Sequence, residues 1–141
     1  MSGFLLDTNC ISEVVAARPD PTVLNWIDTA DETMLYLSVL TLGEIRKGLA
    51  RLGQGARRTR LETWLEIELQ ARFSGRILPI DAAIADRWGL LESDSKPKGK
   101  TMSTIDALLA ATALHHNLTM VTRNVTDFAG LSIPVLNPWI P

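Results

Sequence analysis

The sequence is poor in the features that mark secreted, membrane-spanning or nucleic-acid-coating proteins. One cysteine, Cys10, stands in 141 residues, so no internal disulfide and no thiolate zinc cage can be built, and Cys10 itself reads as a small buried hydrophobe. No apolar run approaches the length of a membrane span. The first residues lack a basic segment and meet Asp7 after three apolar residues, which does not read as a signal peptide. Neither charge sign dominates: Lys plus Arg number 14 and Asp plus Glu 16, for a net charge of −2. That balance excludes a strongly basic coat protein but leaves room for a nucleic-acid enzyme with a local basic patch. What is present is a hydrophobic share of 46% against 21% charged residues, enough for a core and unlike a disordered chain. The expectation is one soluble, cytoplasmic domain spanning residues 1–141.

No repeat or linker divides the chain, and β-like runs alternate with helical patterns. The runs are Gly3–Leu6, Met34–Val39, Ile77–Ile80, Leu118–Thr122 and Ser132–Leu136. Pro134 lacks a ladder donor and puts the last run at a sheet edge. Between them, Pro21–Thr29, Thr41–Leu52, Arg57–Phe73, Asp81–Asp94 and Ser103–His115 repeat apolar residues at helical spacing. A polar loop, Lys96–Lys100, joins the last two. This alternation predicts an α/β fold with a mainly parallel sheet of about five short strands, covered on both faces. Right-handed crossovers gather the strand C-termini and the following helix N-termini at one edge, where open α/β sheets bind ligands.

Several carboxylates fall on that edge. Asp7 ends the first strand, Glu44 is read in the first helical turn after the second, and Asp106 opens the Ser103–His115 helix. Asn124 and Asp127 follow the fourth strand. Each acid also has a plain local reading. Asp7 suits a turn or a helix N-cap and Asp127 a turn, and Thr41–Glu44 and Ser103–Asp106 have the form of capping boxes, as does Thr59–Glu62. Taken together, however, three or four carboxylates at one edge would repel and raise one another's pKa unless a cation sat among them. Oxygen-only ligation suits Mg²⁺ or Mn²⁺ rather than zinc. Such a site points to metal-assisted phosphodiester hydrolysis by an activated water. That chemistry requires no Ser, Cys or His nucleophile. It fits a chain with only His115 and His116, which are placed to interact with a helix C-terminus.

At these residues the chain resembles PIN domains, specifically VapC-type toxin ribonucleases of toxin–antitoxin systems. The resemblance runs through Leu5-Leu6-Asp7-Thr8-Asn9 with Ser12-Glu13, Leu37-Ser38 and Gly43-Glu44-Ile45-Arg46-Lys47-Gly48. It continues through Gly75-Arg76-Ile77-Leu78-Pro79, Asp106–Ala113, and Val121-Thr122-Arg123-Asn124 with Asp127-Phe128. The closing Asn137-Pro138-Trp139 is similar to the FitB-like subgroup. The resemblance implies an α/β/α sandwich, Mg²⁺- or Mn²⁺-dependent endoribonuclease activity, homodimerisation, and neutralisation by a small DNA-binding antitoxin. Carried over residue by residue, Asp7, Glu44 and Asp106 are the metal-binding catalytic acids. Some relatives have an acid where Asn124 stands, so either Asn124 or Asp127 supplies the fourth group. Thr8 and Thr122 would orient ligands or water. Two alternatives remain: a PIN nuclease in RNA processing or DNA cleavage, and a degenerate module that only binds RNA or its antitoxin.

An acidic pocket needs a basic surround to hold RNA. Arg46, Lys47, Arg51, Arg57, Arg58 and Arg60 lie in a stretch with no acid, and Lys96, Lys98 and Lys100 precede the Asp106 helix. Both groups suit phosphate binding, and both also suit plain solvated surface. Trp26, Trp64, Trp88 and Trp139 are expected in the core or at a subunit contact. The Thr41 and Arg57 helices are expected to present an apolar groove to the antitoxin, as the resemblance implies.

Overall fold

The computed structural model describes residues 3–95 and 102–141, so the expected Lys96–Lys100 loop lies outside the described residues. Five parallel strands form one sheet in the order β3-β2-β1-β4-β5. They are β1 Phe4–Leu6, β2 Leu35–Ser38, β3 Ile77–Leu78, β4 Thr119–Val121 and β5 Val135–Leu136. Every run expected from the sequence is a strand, trimmed at its ends. β5 lies at the edge, as Pro134 requires, and the Pro134 carbonyl still accepts from the Met120 N–H at 2.9 Å.

Alternation along these strands separates two cores. Leu6, Leu35, Leu37 and Val121 face one layer with Cys10, Ile27, Ile45, Leu61, Trp64 and Phe73. Leu5 and Met120 face the other, with Leu109, Ala110, Ala113 and Phe128. A parallel sheet buried on both faces is the α/β/α sandwich expected. Gly3 is required where β1 begins, because a Cβ there would stand 2.7 Å from the Met34 carbonyl oxygen.

The helices are α1 Thr8–Ile11, α2 Pro21–Thr29, α3 Val39–Ala50, α4 Ala56–Thr63, α5 Gln70–Arg72, α6 Ala82–Ser95 and α7 Thr104–His116. Asp7-Thr8-Asn9 is the capped start of α1, in keeping with its turn and cap chemistry. Three local expectations change. The helix after β2 begins at Val39 because Ser38 Oγ, not Thr41, accepts from the Leu40 N–H at 3.0 Å. Thr41–Glu44 is therefore no capping box, and Glu44 sits in the second turn of α3. Thr59 is likewise inside α4 rather than at its start, its hydroxyl donating back to the Gly55 carbonyl at 3.2 Å. Finally, the expected Arg57–Phe73 helix is interrupted by a π-helical segment, Trp64–Leu69, which joins α4 to α5. The Ser103 cap stands: its Oγ accepts from the Asp106 N–H at 3.1 Å.

Behind the sheet edge, one guanidinium sets the approach to β3. Arg76 donates to the carbonyls of Glu32, Leu35 and Arg72, each at 2.6 Å, and lies over the Phe73 ring at 5.1 Å. It ties the end of α5 to the start of β2. Of the tryptophans, Trp64 is buried in the first core and Trp26 and Trp139 pack against it. Trp88 is half-buried, and its Nε1 has no partner among the described residues. No described helix is long and apolar enough to cross a membrane.

Candidate active site

β1 and β4 are in register, with Leu6 opposite Val121, and the Asp7 N–H donates to the Val121 carbonyl at 2.9 Å. The residues that follow these strands, Asp7 and Thr122, are therefore side by side. Asp7 is only 6% exposed and both of its oxygens are bonded. Oδ1 accepts from the Thr8 N–H and Oδ2 from the Thr122 hydroxyl, each at 2.8 Å. Thr122 is fully buried, and its oxygen also accepts from the Asn124 N–H at 3.0 Å and the Asn9 amide at 3.3 Å. One hydroxyl thus fixes the first carboxylate and the turn that follows β4.

Glu44 reaches the same place from α3. The Thr8 hydroxyl donates to Glu44 Oε1 at 2.5 Å and is bonded to the hydroxyl of buried Thr41 at 3.3 Å. Asp106 arrives from the first turn of α7. Asp127 is exposed in the short 3₁₀ turn Val125–Phe128, and Asn124 is exposed immediately before it.

The electrostatics show that these acids share one field. Burial raises the Asp7 carboxyl above its ordinary value of 3.8, and the charges of Asp106 and Glu44 raise it further, against the lowering bonds from Thr122 and Thr8. Asp106 is also raised, first by burial and then by Asp127 and Glu44, against its bond to Ser103. The sequence-predicted set of Asp7, Glu44, Asp106 and Asp127 is therefore linked by charge, Asp7 with Asp106 and Glu44, and Asp106 with Asp127 and Glu44. It is not a preassembled cage: among the described residues no three His, Cys, Asp or Glu side chains are already closed into a metal-holding group. The donors are nonetheless all carboxylate oxygens, the type a hard divalent cation takes.

Next to Glu44 opens a groove of about 260 Å³ between α1, α3 and α4, bordered by Thr8, Glu44, Leu49, Arg57, Leu61 and Trp64. The basic stretch on α3 and α4 is less free than its sequence suggests. Arg46 is bound to Glu66 at 2.6 Å and Glu62 at 3.6 Å. Arg58 is bound to Glu62 at 3.5 Å and to the Leu52 carbonyl at 3.2 Å. Arg57 stands at the groove, while Lys47, Arg51 and Arg60 are exposed. Lys96, Lys98 and Lys100 lie outside the described residues. His116 is pushed down by burial and by His115, which weakens the reading of that pair as a charged helix cap. Burial pushes the Cys10 thiol up to about 12, consistent with an inert core residue.

Sequence reasoning missed two contributors. Asn9 bridges the turn after β4, accepting from the Arg123 N–H at 3.4 Å while donating to Thr122. Thr41 braces Thr8 instead of capping a helix. Asn9 belongs to the Asp7-Thr8-Asn9 stretch, whose turn and cap chemistry carries no signal of a bond to a residue so distant in sequence.

Comparison with known proteins identifies the family. The PIN domain family model matches residues 4–131. The chain is 39% identical to VapC ribonuclease Y4jK of Sinorhizobium fredii, over 97% of this chain and 98% of that protein. It is 38% identical to Toxin FitB of Neisseria gonorrhoeae, over 96% and 97% respectively. The solved structure of FitAcB from Neisseria gonorrhoeae superposes with a TM-score of 0.92 at 38% identity, covering 98% of this chain and 99% of that one. The chain therefore belongs to the PIN domain family and stands with its VapC-type toxin ribonucleases.

Proposed function

We propose that this protein is the toxin of a toxin–antitoxin pair, a single PIN domain over residues 1–141 that cleaves RNA as a divalent-metal-dependent endoribonuclease. The observation that carries this reading is Asp7, buried, bonded through both oxygens, and coupled to Glu44 and Asp106 at the sheet's C-terminal edge. The ribonuclease and toxin relatives support it over most of their length.

Asp7, Glu44 and Asp106 would hold Mg²⁺ or Mn²⁺. Bound there, the ion supplies an activated water and charge compensation at the scissile phosphate. The chain's own residues do the positioning. Thr122 and the Thr8 N–H hold Asp7 in one orientation, leaving each oxygen a free lone pair. The Thr8 hydroxyl holds Glu44. Asp127, whose charge raises Asp106, is the better fourth group than Asn124, which is equally exposed but offers only a neutral amide oxygen. Arg57 at the groove, with the exposed Lys47, Arg51 and Arg60, offers positive charge to RNA phosphates. The apolar groove beside Glu44 suits an amphipathic segment of a small DNA-binding antitoxin, whose docking would cover the site. A homodimer is the assembly implied by the family.

The test is cleavage of cellular RNA by the purified protein. Cleavage with Mg²⁺ or Mn²⁺, its arrest by chelator, and its loss in a folded Asp7→Asn variant support the reading. RNA bound but never cut at any metal concentration would instead make the protein a binding module. Preference for DNA would place it among other PIN nucleases. Relief of growth arrest by a small DNA-binding protein encoded immediately upstream would establish the pairing.

A further inference from the structure

We propose that Arg123, braced on the indole of Trp139, anchors an RNA backbone phosphate beside the carboxylate site; this rests on the ribonuclease reading above. Arg123 directly follows Thr122, and the backbone on both sides of it is pinned. Its own N–H donates to Asn9 and the next N–H donates to Thr122. The Arg123 backbone is thereby fixed within two residues' reach of the bonds that hold Asp7.

Its side chain is held as firmly. The guanidinium lies 5.4 Å from the centroid of the Trp139 ring. Trp139 is itself packed against the first core, and its N–H is bonded to Asn137 Oδ1 at 2.9 Å, so the platform is rigid. Arg46, Arg58, Arg72 and Arg76 all form ion pairs, whereas exposed Arg123 forms none among the described residues. Stacking on Trp139 gives the guanidinium a fixed partner in place of a carboxylate. A stacked guanidinium retains its in-plane N–H donors, which match a phosphate bidentately. Because the side chain is already ordered, less rotamer entropy is lost when phosphate arrives. At the rim of an acidic pocket that repels RNA, this is the fixed positive group the substrate needs.

The experiment is steady-state cleavage of a single-stranded RNA oligonucleotide by the full-length protein in Mg²⁺, across a salt series. In Arg123→Gln, KM should rise about tenfold with little change in kcat, the loss of one charge-assisted contact. The slope of log KM against log salt should flatten by about 0.7, the value for one phosphate on a single strand. Arg123→Lys should keep the slope with an intermediate KM, and Trp139→Leu should raise KM without changing the slope. If Arg123→Gln lowers the melting temperature but leaves KM and slope untouched, the pair only fastens the C-terminal segment and the proposal is wrong. It is equally wrong if RNA cleavage is unchanged while neutralisation by the antitoxin is lost, because Arg123 then contacts protein. A wild-type protein that does not cleave RNA would overturn the ribonuclease reading itself, and this proposal with it.

Discussion

Replacing Thr122 by valine removes one oxygen from the centre of the site while nearly preserving its shape. The Thr122 hydroxyl donates to the Asp7 carboxylate at 2.8 Å in a fully buried position, and a bond of that kind contributes about 1.5–3 kcal/mol. The Asn124 N–H and the Asn9 amide lose the same acceptor. Asn124 is exposed and Asn9 partly so, so water recovers part of that loss and the two together add about 1 kcal/mol. The methyl group that replaces the hydroxyl returns about 0.8 kcal/mol. The net expectation is a loss of about 2–3 kcal/mol, or a fall in melting temperature of roughly 7–10 °C for a chain of this size. The loss should depend on pH. Asp7 is raised above 3.8 in the folded protein, and the hydroxyl stabilises its ionised form. The penalty is therefore full where Asp7 is ionised and shrinks as pH falls through its folded pKa toward 3.8. Removing the donor also raises Asp7 further, so Mn²⁺ affinity measured by calorimetry should drop and recover only at higher pH. Thr122→Ser, which keeps the oxygen, should lose about 1 kcal/mol and retain metal affinity. A Thr122→Val protein within about 0.5 kcal/mol of wild type at neutral pH, binding Mn²⁺ as tightly, would refute the role given to this hydroxyl.

Other substitutions separate function from stability. Asp106 is raised by burial, Asp127 and Glu44, so its ionised form costs stability that grows as pH rises through its folded pKa. Asp106→Asn should abolish cleavage yet melt no lower than wild type without metal, with the gap closing in acid; a lower melting temperature at neutral pH would contradict this. Arg76→Met strands three carbonyls bonded at 2.6 Å and should cost about 3–5 kcal/mol by chemical denaturation, with Arg76→Lys intermediate. Reversing Arg57 and Arg60 together should weaken RNA binding and flatten its salt dependence, whereas unchanged binding would make them plain surface. Arg58 is left out because its bonds to Glu62 and Leu52 make it part of the scaffold.

The parallel sheet was legible because its signal is local: short apolar runs, turn residues after them, and a proline that only an edge strand tolerates. That Asp7, Glu44 and Asp106 feel one another's charge is what topology led one to expect, since parallel strands with right-handed crossovers put those chain positions at one edge. Helix starts were less legible. Ser38 and Thr41 are both competent caps, and only the abrupt passage from β2 into α3 decides for Ser38. The π segment at Trp64–Leu69 was hidden because Leu61, Trp64, Leu65 and Leu69 fit an α-helical stripe equally well. Least legible were the side-chain bonds that finish the site. Asn9 meets Thr122 across 113 residues and Thr8 meets Thr41 across 33, distances over which periodicity carries no information. The same holds for Arg46, whose capture by Glu66 20 residues away removes it from the basic surface that its sequence neighbours suggest.

Diffraction from crystals of the protein grown with Mn²⁺, recorded for anomalous scattering, tests the metal site most directly. The expected result is one strong peak about 2.1 Å from an oxygen of Asp7 and an oxygen of Asp106, with Glu44 turned toward it directly or through water. A protein that cleaves RNA in the same Mn²⁺ buffer but binds the ion elsewhere, with these three carboxylates untouched, would contradict it.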